Sequence, residues 1–354
     1  SEIYPRLSEV VDDICFIKSL HTDSAIHSVG ETLMHTGHGR PGFPSLGSWV
    51  TYGLGSESSA LPPYVVMKDG LSTAGDIVFQ QGMLPGRHRA SVAVAERGKP
   101  PFPYLSPDPS ISKQDQYEHL KKLQQLNKAH QTKHIGQPEL MSRIESFEMA
   151  FELQSSAIEA FDLNREPKSI HKLYGENLFS RHCLTARRLI ESGVRFVEIL
   201  DGAEGRKWDA HGNRGGLVDN HRNNAARTDQ GIAALITDLK SRGMLDETLI
   251  VWATEFGRTP FEEERKEKSV LGRGHHHKGF TLWMAGGGVK GGLSYGQTDE
   301  LGMYAIKDPV SYHDFHATIL HLLGLNHEQL TFRHNSRDVR LTDVFGNVIH
   351  DIVA

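Results

Sequence analysis

Three short segments of the chain carry side chains that could bind a metal ion or act in acid–base chemistry. They are Trp208-Asp209-Ala210-His211, Glu255-Phe256-Gly257-Arg258 and Gly274-His275-His276-His277. Carboxylate oxygens and imidazole nitrogens are ligands for divalent cations such as Zn²⁺ and Mn²⁺. The guanidinium of Arg258 presents forked donors that suit phosphate or sulfate oxygens. These residue types indicate a metal or catalytic site with an anion-binding group beside it.

Each segment also has an ordinary structural explanation. Asp209 could cap a turn beside a surface His211, and Glu255 could cap a helix or form an ion pair with Arg258. Residues 275–277 are three consecutive histidines whose side chains point in different directions, so at most one or two of them can reach one ion. A solvated histidine loop is the alternative for that run. It is weakened because the run adjoins the same predicted sheet as the other two segments.

The three segments adjoin stretches that have the apolar pattern of buried strands. The predicted strands cover residues 13–17, 64–67, 194–200, 248–253 and 280–285. Asp209 and His211 follow the third strand, Glu255 comes directly after the fourth, and residues 275–277 precede the fifth. Helical patterns alternate with these strands, which predicts an α/β fold with a mostly parallel central sheet and helices on both faces. Side chains at the carboxyl edge of such a sheet share one crevice.

The predicted helices lie between the strands, and one polar stretch interrupts the alternation. The helices cover 27–34, a segment capped at Ser45, 178–192, 229–242 and 313–323. Residues 112–165 are polar with leucines at helical spacing, which predicts a helical insertion or cap over the sheet. Residues 1–354 are predicted to form one domain that includes this insertion, and its first strand could lie upstream of Ser1.

Composition excludes some classes of function. The net charge of -5 and pI near 6.5 argue against nucleic-acid binding driven by bulk charge. No apolar run is long enough to predict a membrane span, and no signal peptide is visible. The 21 histidines raise the expectation of a metal site. The two cysteines, Cys15 and Cys183, lie in apolar surroundings that favour buried thiols over a disulfide.

Longer motifs around the same segments resemble those of a known family. Residues 13–354 resemble the domain-of-unknown-function 1501 family, which is alkaline-phosphatase-like and has no established activity. The motifs that carry the resemblance are Pro44-Ser45-Leu46-Gly47-Ser48-Trp49, Trp208-Asp209-Ala210-His211-Gly212-Asn213, Leu245-Asp246-Glu247-Thr248-Leu249-Ile250-Val251-Trp252 running into Glu255-Phe256-Gly257-Arg258-Thr259-Pro260, Gly279-Phe280-Thr281-Leu282-Trp283-Met284-Ala285-Gly286-Gly287-Gly288, and His316-Ala317-Thr318-Ile319-Leu320-His321-Leu322-Leu323-Gly324.

The resemblance implies a fold shared with alkaline phosphatases, sulfatases and cofactor-independent phosphoglycerate mutases. It also implies a metal site formed by Asp209, His211 and either His275 or His276. In that superfamily the nucleophile opens a helix ten residues before the glycine of a Thr-Gly pair, and this offset leads to His27. A histidine at this position departs from the usual Ser, Thr or modified Cys.

Other positions depart from the superfamily pattern as well. Glu255 and Phe256 stand where an Asp-His pair is usual, so one histidine ligand is absent. Gly274 stands where family members usually have Asp, and the first metal-binding Asp is expected on a strand upstream of Ser1. A two-metal mechanism needs both ions to stabilise the attacking and leaving oxygens, and these departures reduce the second metal site to Glu255, His27 and any residue upstream.

Two hypotheses follow. The first is a metal-dependent hydrolase of phosphate or sulfate esters, acting on a small-molecule or polysaccharide ester with a divalent cation such as Zn, Mn or Ca. Glu255 would bind a second ion or act as base, Arg258 would bind the ester oxygens, and His27 would be a ligand or a nucleophile. The second is a non-catalytic extracytoplasmic protein that binds sulfated or phosphorylated ligands. Export is implied by the resemblance alone, because relatives often carry a twin-arginine leader.

Overall fold

The computed structural model describes most of the chain. The described residues are 2–58, 61–70, 72–94, 110–133, 144, 159–202, 208–212, 216–263 and 271–354. Its helices are α1 His27–Thr36, α2 Leu46–Leu54, α3 Lys113–Lys133, α4 Lys168–Tyr174, α5 Leu178–Glu191, α6 Gly216–Ser241 and α7 Tyr312–Leu322. Its strands are β1 Ile14–His21, β2 Tyr64–Lys68, β3 Ser91–Val94, β4 Phe196–Leu200, β5 Ile250–Trp252, β6 Gly257–Arg258, β7 His275–His276, β8 Phe280–Ala285, β9 Leu293–Tyr295, β10 Gln297–Thr298, β11 Ala305–Lys307, β12 Val310–Ser311, β13 Phe332–His334 and β14 Arg337–Val339.

The largest sheet is mixed. It has five strands, in the order β12-β1-β8-β5 with β9 also paired to β1. Strand β1 is parallel to β12 and β9, but β8 runs antiparallel to both β1 and β5. A second sheet, β3-β2-β4, is parallel throughout. The α/β class is therefore confirmed, whereas the expected mostly parallel central sheet is not, because β8 is reversed.

The sequence explains why the β8 direction was mispredicted. The run 280–285 is almost continuously apolar, and only Thr281 in it is exposed. Such a run is typical of a strand covered on both faces, as parallel strands usually are. Two hydrophobic clusters do cover the two faces of β8. Leu282 and Met284 pack in a cluster with α7, and Trp283 and Ala285 pack in a cluster with α6. Burial on both faces, and not strand direction, produced the pattern.

Local signals place several helix boundaries as the sequence predicts. The Ser45 hydroxyl accepts a hydrogen bond from the Ser48 backbone N–H and caps α2. Helix α1 ends at Gly37, which has φ of +71°, a conformation that glycine adopts without strain. Helix α6 begins at Gly216, well before the predicted start at residue 229. The prediction began too late because the first half of the helix is polar and shows little apolar periodicity.

The expected helical insertion is described only in part. Helix α3 lies within residues 112–165, and a short 3-10 helix covers Leu163–Arg165. Most of the rest of 112–165 lies outside the described residues, so the insertion stays a prediction. Among the described residues, no helix has both the length and the apolar character needed to cross a membrane.

Candidate functional site

The carboxylate of Asp209 is surrounded by three histidine side chains. The Nε2 atoms of His211 and His275 lie 2.8 Å and 3.1 Å from its Oδ1, and the His27 Nε2 lies 3.5 Å from its Oδ2. The His211 and His275 Nε2 atoms are 3.0 Å apart. All four side chains are between 12% and 29% exposed, so solvent can reach the cluster.

These four side chains are placed by three different parts of the fold. His27 is the first residue of α1, which follows β1. Asp209 and His211 lie in the loop after β4. His275 lies on β7, immediately before β8. Because β8 runs antiparallel to β1 and β5, its amino end lies at the same edge of the sheet as their carboxyl ends. The reversal of β8 therefore brings His275 to the edge where His27 lies, beside the Asp209 loop.

Strand pairing decides which of the consecutive histidines faces Asp209. Strands β6 and β7 are antiparallel, with Arg258 opposite His275 and Gly257 opposite His276. Residues opposite each other share a face, and successive residues alternate between faces. His275 therefore lies on the Arg258 face, whereas the buried His276 directs its Nε2 to the Met303 carbonyl. His276, an expected alternative ligand, is hydrogen-bonded away from the cluster.

Close backbone contacts hold the Asp209 loop against the strand that carries His275. The Arg273 N–H donates to the Ala210 carbonyl at 3.0 Å. A Cβ on Gly272 would lie 1.9 Å from the Gly212 nitrogen, so a side chain larger than hydrogen would push the two segments apart. This close approach lets histidines that are far apart in sequence contact one carboxylate.

The three histidines have the same hydrogen-bond pattern on their outer nitrogen. The Nδ1–H groups of His27, His211 and His275 donate to Glu255 Oε1 at 2.6 Å, Glu263 Oε2 at 2.7 Å and the Ala25 carbonyl at 2.8 Å. Carboxylate and carbonyl oxygens only accept, so the Nδ1 of each ring carries a proton. The Nε2 atoms of the three rings face Asp209.

The electrostatics favour neutral imidazole and ionised carboxylate at two of these positions. Burial, with the positive charge of Arg258, lowers the pKa of His275 to about 4 despite the hydrogen bond to Ala25, so this ring is neutral at pH 7. Burial alone would raise the pKa of Glu255. Hydrogen bonds from His27 and from the Thr254 hydroxyl outweigh the burial and lower that pKa, so Glu255 is ionised.

Arg258 lies within the cluster. Its Nη2 donates to the Asp209 Oδ1, and its Nη1 donates to the Arg273 carbonyl at 3.1 Å. The Nη1 is also 3.3 Å from the His211 Nε2. Arg258 is thus paired with Asp209, and Glu255 instead holds His27. A guanidinium beside the ligand cluster can meet an anionic group bound there.

Phe256, which replaces the histidine expected from the resemblance, packs against the site. Its ring centroid lies 5.0 Å from that of His27 and 4.5 Å from that of His275. Its side chain is buried, so it supplies an apolar wall for the two rings. Gly30, in α1, leaves room for this packing, since a Cβ there would lie 3.2 Å from the Phe256 ring.

Sequence reasoning missed the groups that hold the histidine rings. Glu263 lies in the acidic run 262–264, whose composition is typical of a solvated loop. The Ala25 carbonyl is a backbone group and leaves no sequence signal. Thr254 donates to Glu255 and its own carbonyl accepts from the buried Tyr312 hydroxyl. Only its place directly before Glu255 could have pointed to it.

The donor set fits a divalent cation. Two ligands that each lie about 2.1 Å from one ion are roughly 3 to 3.5 Å apart. The separations among Asp209 Oδ1, His211 Nε2 and His275 Nε2 are 2.8, 3.0 and 3.1 Å. The corresponding atoms of His27, Asp209 and His275 all lie within 4.8 Å of one another. Asp209 and His275 belong to both groups of three. The third member is either His211, 2.8 Å from the Asp209 carboxylate, or His27, 3.5 Å from it.

Comparison with known proteins identifies the family. The family described as protein of unknown function, DUF1501, matches residues 1–353. The chain belongs to this family. A search of curated proteins finds no match.

Several solved structures resemble the chain at low sequence identity. A sulfatase, PsFucS1 from Pseudoalteromonas sp., is 13% identical with a TM-score of 0.43, over 92% of this chain and 63% of the other. The lipoteichoic acid synthase LtaP from Listeria monocytogenes is 9% identical with a TM-score of 0.41, over 96% and 68%. A phosphonate monoester hydrolase, SpPMH from Silicibacter pomeroyi, is 13% identical with a TM-score of 0.42, over 96% and 72%.

These resemblances are distant and cover only part of the other proteins. The chain spans 63% to 66% of the length of PsFucS1 and of two Ps i-CgsB structures. Likeness at this level does not establish the chemistry of this chain, which depends on its own side chains.

Proposed function

We propose that this protein is a metal-dependent hydrolase of phosphate or sulfate esters. One observation carries the proposal: three imidazole Nε2 atoms surround the Asp209 carboxylate, and each ring has its Nδ1–H bonded to an acceptor outside the cluster. That pattern supports the proposal because histidines that bind a metal in metalloenzymes usually donate their other ring N–H to a carboxylate or a backbone carbonyl, which fixes the ring and strengthens the ligand.

Asp209, His211 and His275 are proposed to hold the cation. Imidazole donors favour a transition metal such as Zn²⁺ or Mn²⁺, whereas Ca²⁺ prefers oxygen ligands throughout. Of the expected cations, Ca²⁺ is therefore disfavoured. A bound cation would polarise an ester oxygen and lower the pKa of a bound water. Arg258, which already lies against Asp209, would bind the remaining oxygens of a phosphate or sulfate group.

His27 is proposed to complete the ligand set. Its Nε2 lies 3.5 Å from the Asp209 Oδ2, and its Nδ1 is hydrogen-bonded to Glu255. The same geometry favours a second role, since a carboxylate on Nδ1 also activates the Nε2 of a histidine that attacks a substrate. Enzyme denatured in alkaline SDS after incubation with a ³²P-labelled ester separates the roles, because phosphohistidine survives in base and only a nucleophile would carry label on His27.

The substrate class and the location follow from the same chemistry. The site opens to solvent, which suits a small-molecule or polysaccharide ester. Export to the periplasm or beyond stays a prediction, and fractionation of cells that express the protein from its native gene would test it.

Metal analysis is the first test of the proposal. The purified protein should bind about one equivalent of Zn²⁺ or Mn²⁺, and H211A should lose it. H277A is the matched control, because His277 adjoins the ligands in sequence but makes no contact with Asp209 among the interactions of the described residues. Metal-loaded protein should then hydrolyse p-nitrophenyl phosphate, sulfate or phenylphosphonate esters. Equal metal content in wild type and H211A would contradict the proposal.

One contact favours a non-catalytic binding protein as the alternative. The Arg258 guanidinium is paired directly with Asp209. Its positive charge already neutralises the carboxylate, so a metal ion is not required to compensate that charge. A binder of anionic ligands would bind phosphate or sulfate without metal and would turn over none of the esters. Isothermal titration with inorganic phosphate, with and without added Zn²⁺, distinguishes the two functions.

A further inference from the structure

We propose that Glu263 is a positioning residue that fixes the tautomer and orientation of His211 in the metal site. The inference rests on the proposed function, because it assigns Glu263 a role towards the cation that Asp209, His211 and His275 would hold. Glu263 itself is placed as the acceptor behind a ligand and not as a ligand.

The hydrogen bond between the two side chains determines the state of the ring. The His211 Nδ1 lies 2.7 Å from the Glu263 Oε2, and a carboxylate oxygen can only accept. Nδ1 therefore carries a proton, and Nε2, which lies 2.8 Å from the Asp209 Oδ1, is the nitrogen that a cation held by Asp209 would take. An imidazole without this acceptor could place its proton on either nitrogen, and one of the two forms cannot bind a cation through Nε2.

Glu263 is held in place from both its backbone and its side chain. Its N–H donates to the Gly272 carbonyl at 3.0 Å, and Gly272 packs directly against Gly212, next to His211. The Glu263 side chain is 27% exposed and the His211 side chain 12%. Glu263 is thus hydrogen-bonded to Gly272, the same residue whose contact with Gly212 holds the His211 loop in place.

Glu263 completes a pattern that the other two histidines already show. Glu255 holds His27, and the Ala25 carbonyl holds His275. Only His211 takes its acceptor from the acidic run after β6. A carboxylate in this place increases the basicity of the imidazole as well as orienting it, and loss of such a partner typically weakens metal binding by about 10–100-fold.

The experiment compares E263A, E263Q and E262Q. Glu262 is the exposed neighbour of Glu263, so E262Q controls for the loss of one negative charge in the loop. The dissociation constants for Zn²⁺ and Co²⁺ are measured by competition with a chromophoric chelator. We expect E263A to bind about 10–100-fold more weakly, E263Q to recover part of the loss because its amide oxygen still accepts, and E262Q to match wild type.

A second measurement needs no metal. Ring ¹⁵N shifts of His211 in metal-free protein should show protonated Nδ1 in wild type and E262Q, and a mixture of tautomers in E263A. Thermal unfolding of each variant shows whether the fold is kept.

The outcomes separate the inference from the proposed function. If wild type binds the cation and E263A binds it equally tightly, the inference is wrong and the proposed function stands. If E263A binds the cation more weakly but also has a lower unfolding temperature, and its His211 ring shifts are unchanged, Glu263 has only a structural role and the inference is again wrong. If wild type binds neither cation, the proposed function fails, and the ring shifts still decide whether Glu263 sets the tautomer.

Discussion

The buried pair His35–Glu198 should make the stability of the protein depend on pH. His35 lies in α1, two turns after His27, and its Nε2 is 2.7 Å from the Glu198 Oε1. Burial alone lowers the pKa of His35, but the charge and hydrogen bond of Glu198 outweigh it and raise the pKa from 6.5 to about 9. Glu31 adds to this rise, and the Tyr64 hydroxyl donates to the other oxygen of Glu198.

The magnitude and sign follow from linkage. Each pKa unit corresponds to about 1.4 kcal/mol, so a rise from 6.5 to about 9 contributes about 3 kcal/mol to the free energy of unfolding. The pKa is higher in the folded state than in the unfolded state. The contribution is therefore fully present below pH 6.5 and is lost as the pH rises through about 9.

The variant E198Q tests this directly. Its amide can donate to a neutral His35 Nε2 and accept from Tyr64, so the packing is kept while the charge is lost. Urea unfolding followed by tryptophan fluorescence should show wild type about 3 kcal/mol more stable than E198Q near pH 6, and the difference should vanish above pH 9. E57Q is the matched control, because Glu57 pairs with Arg195 while 64% exposed, and it should show little difference at any pH. A constant difference between wild type and E198Q from pH 6 to pH 10 would refute a charged His35.

Three further predictions concern the site and the core. H27A should bind metal more weakly or lose ester turnover while keeping its unfolding temperature, as measured by metal analysis and calorimetry; unchanged metal content and activity would make His27 structural. G272A should also lose metal affinity, because its Cβ would lie 1.9 Å from the Gly212 nitrogen and must displace the loop, and a chelator-competition assay equal to wild type would contradict this. Cys15 and Cys183 are buried and unpaired, and burial raises both thiol pKa values, that of Cys15 to about 11; neither should react with a thiol reagent until the protein is unfolded, and rapid native labelling would disprove their burial.

The sequence predicted the elements whose signals are local. The strand at 280–285 and the cap at Ser45 were placed correctly, because apolar periodicity and a capping hydroxyl act within a few residues. The first half of α6 was missed because its helical state is supported by tertiary packing of residues such as Asn224 and Thr228, which are buried yet polar. Helix propensity alone does not show that kind of support.

For the site, the sequence by itself determined which donor types were present and which strand ends they adjoin. The tertiary structure decided the rest. A strand covered on both faces has the same apolar pattern in either direction, so only long-range pairing could show that β8 is reversed and brings His275 beside Asp209. Two-residue alternation across β6 and β7 then selected His275 over His276. Glu263 became part of the site only because the chain folds back onto His211, a contact between residues 52 positions apart that no local pattern encodes.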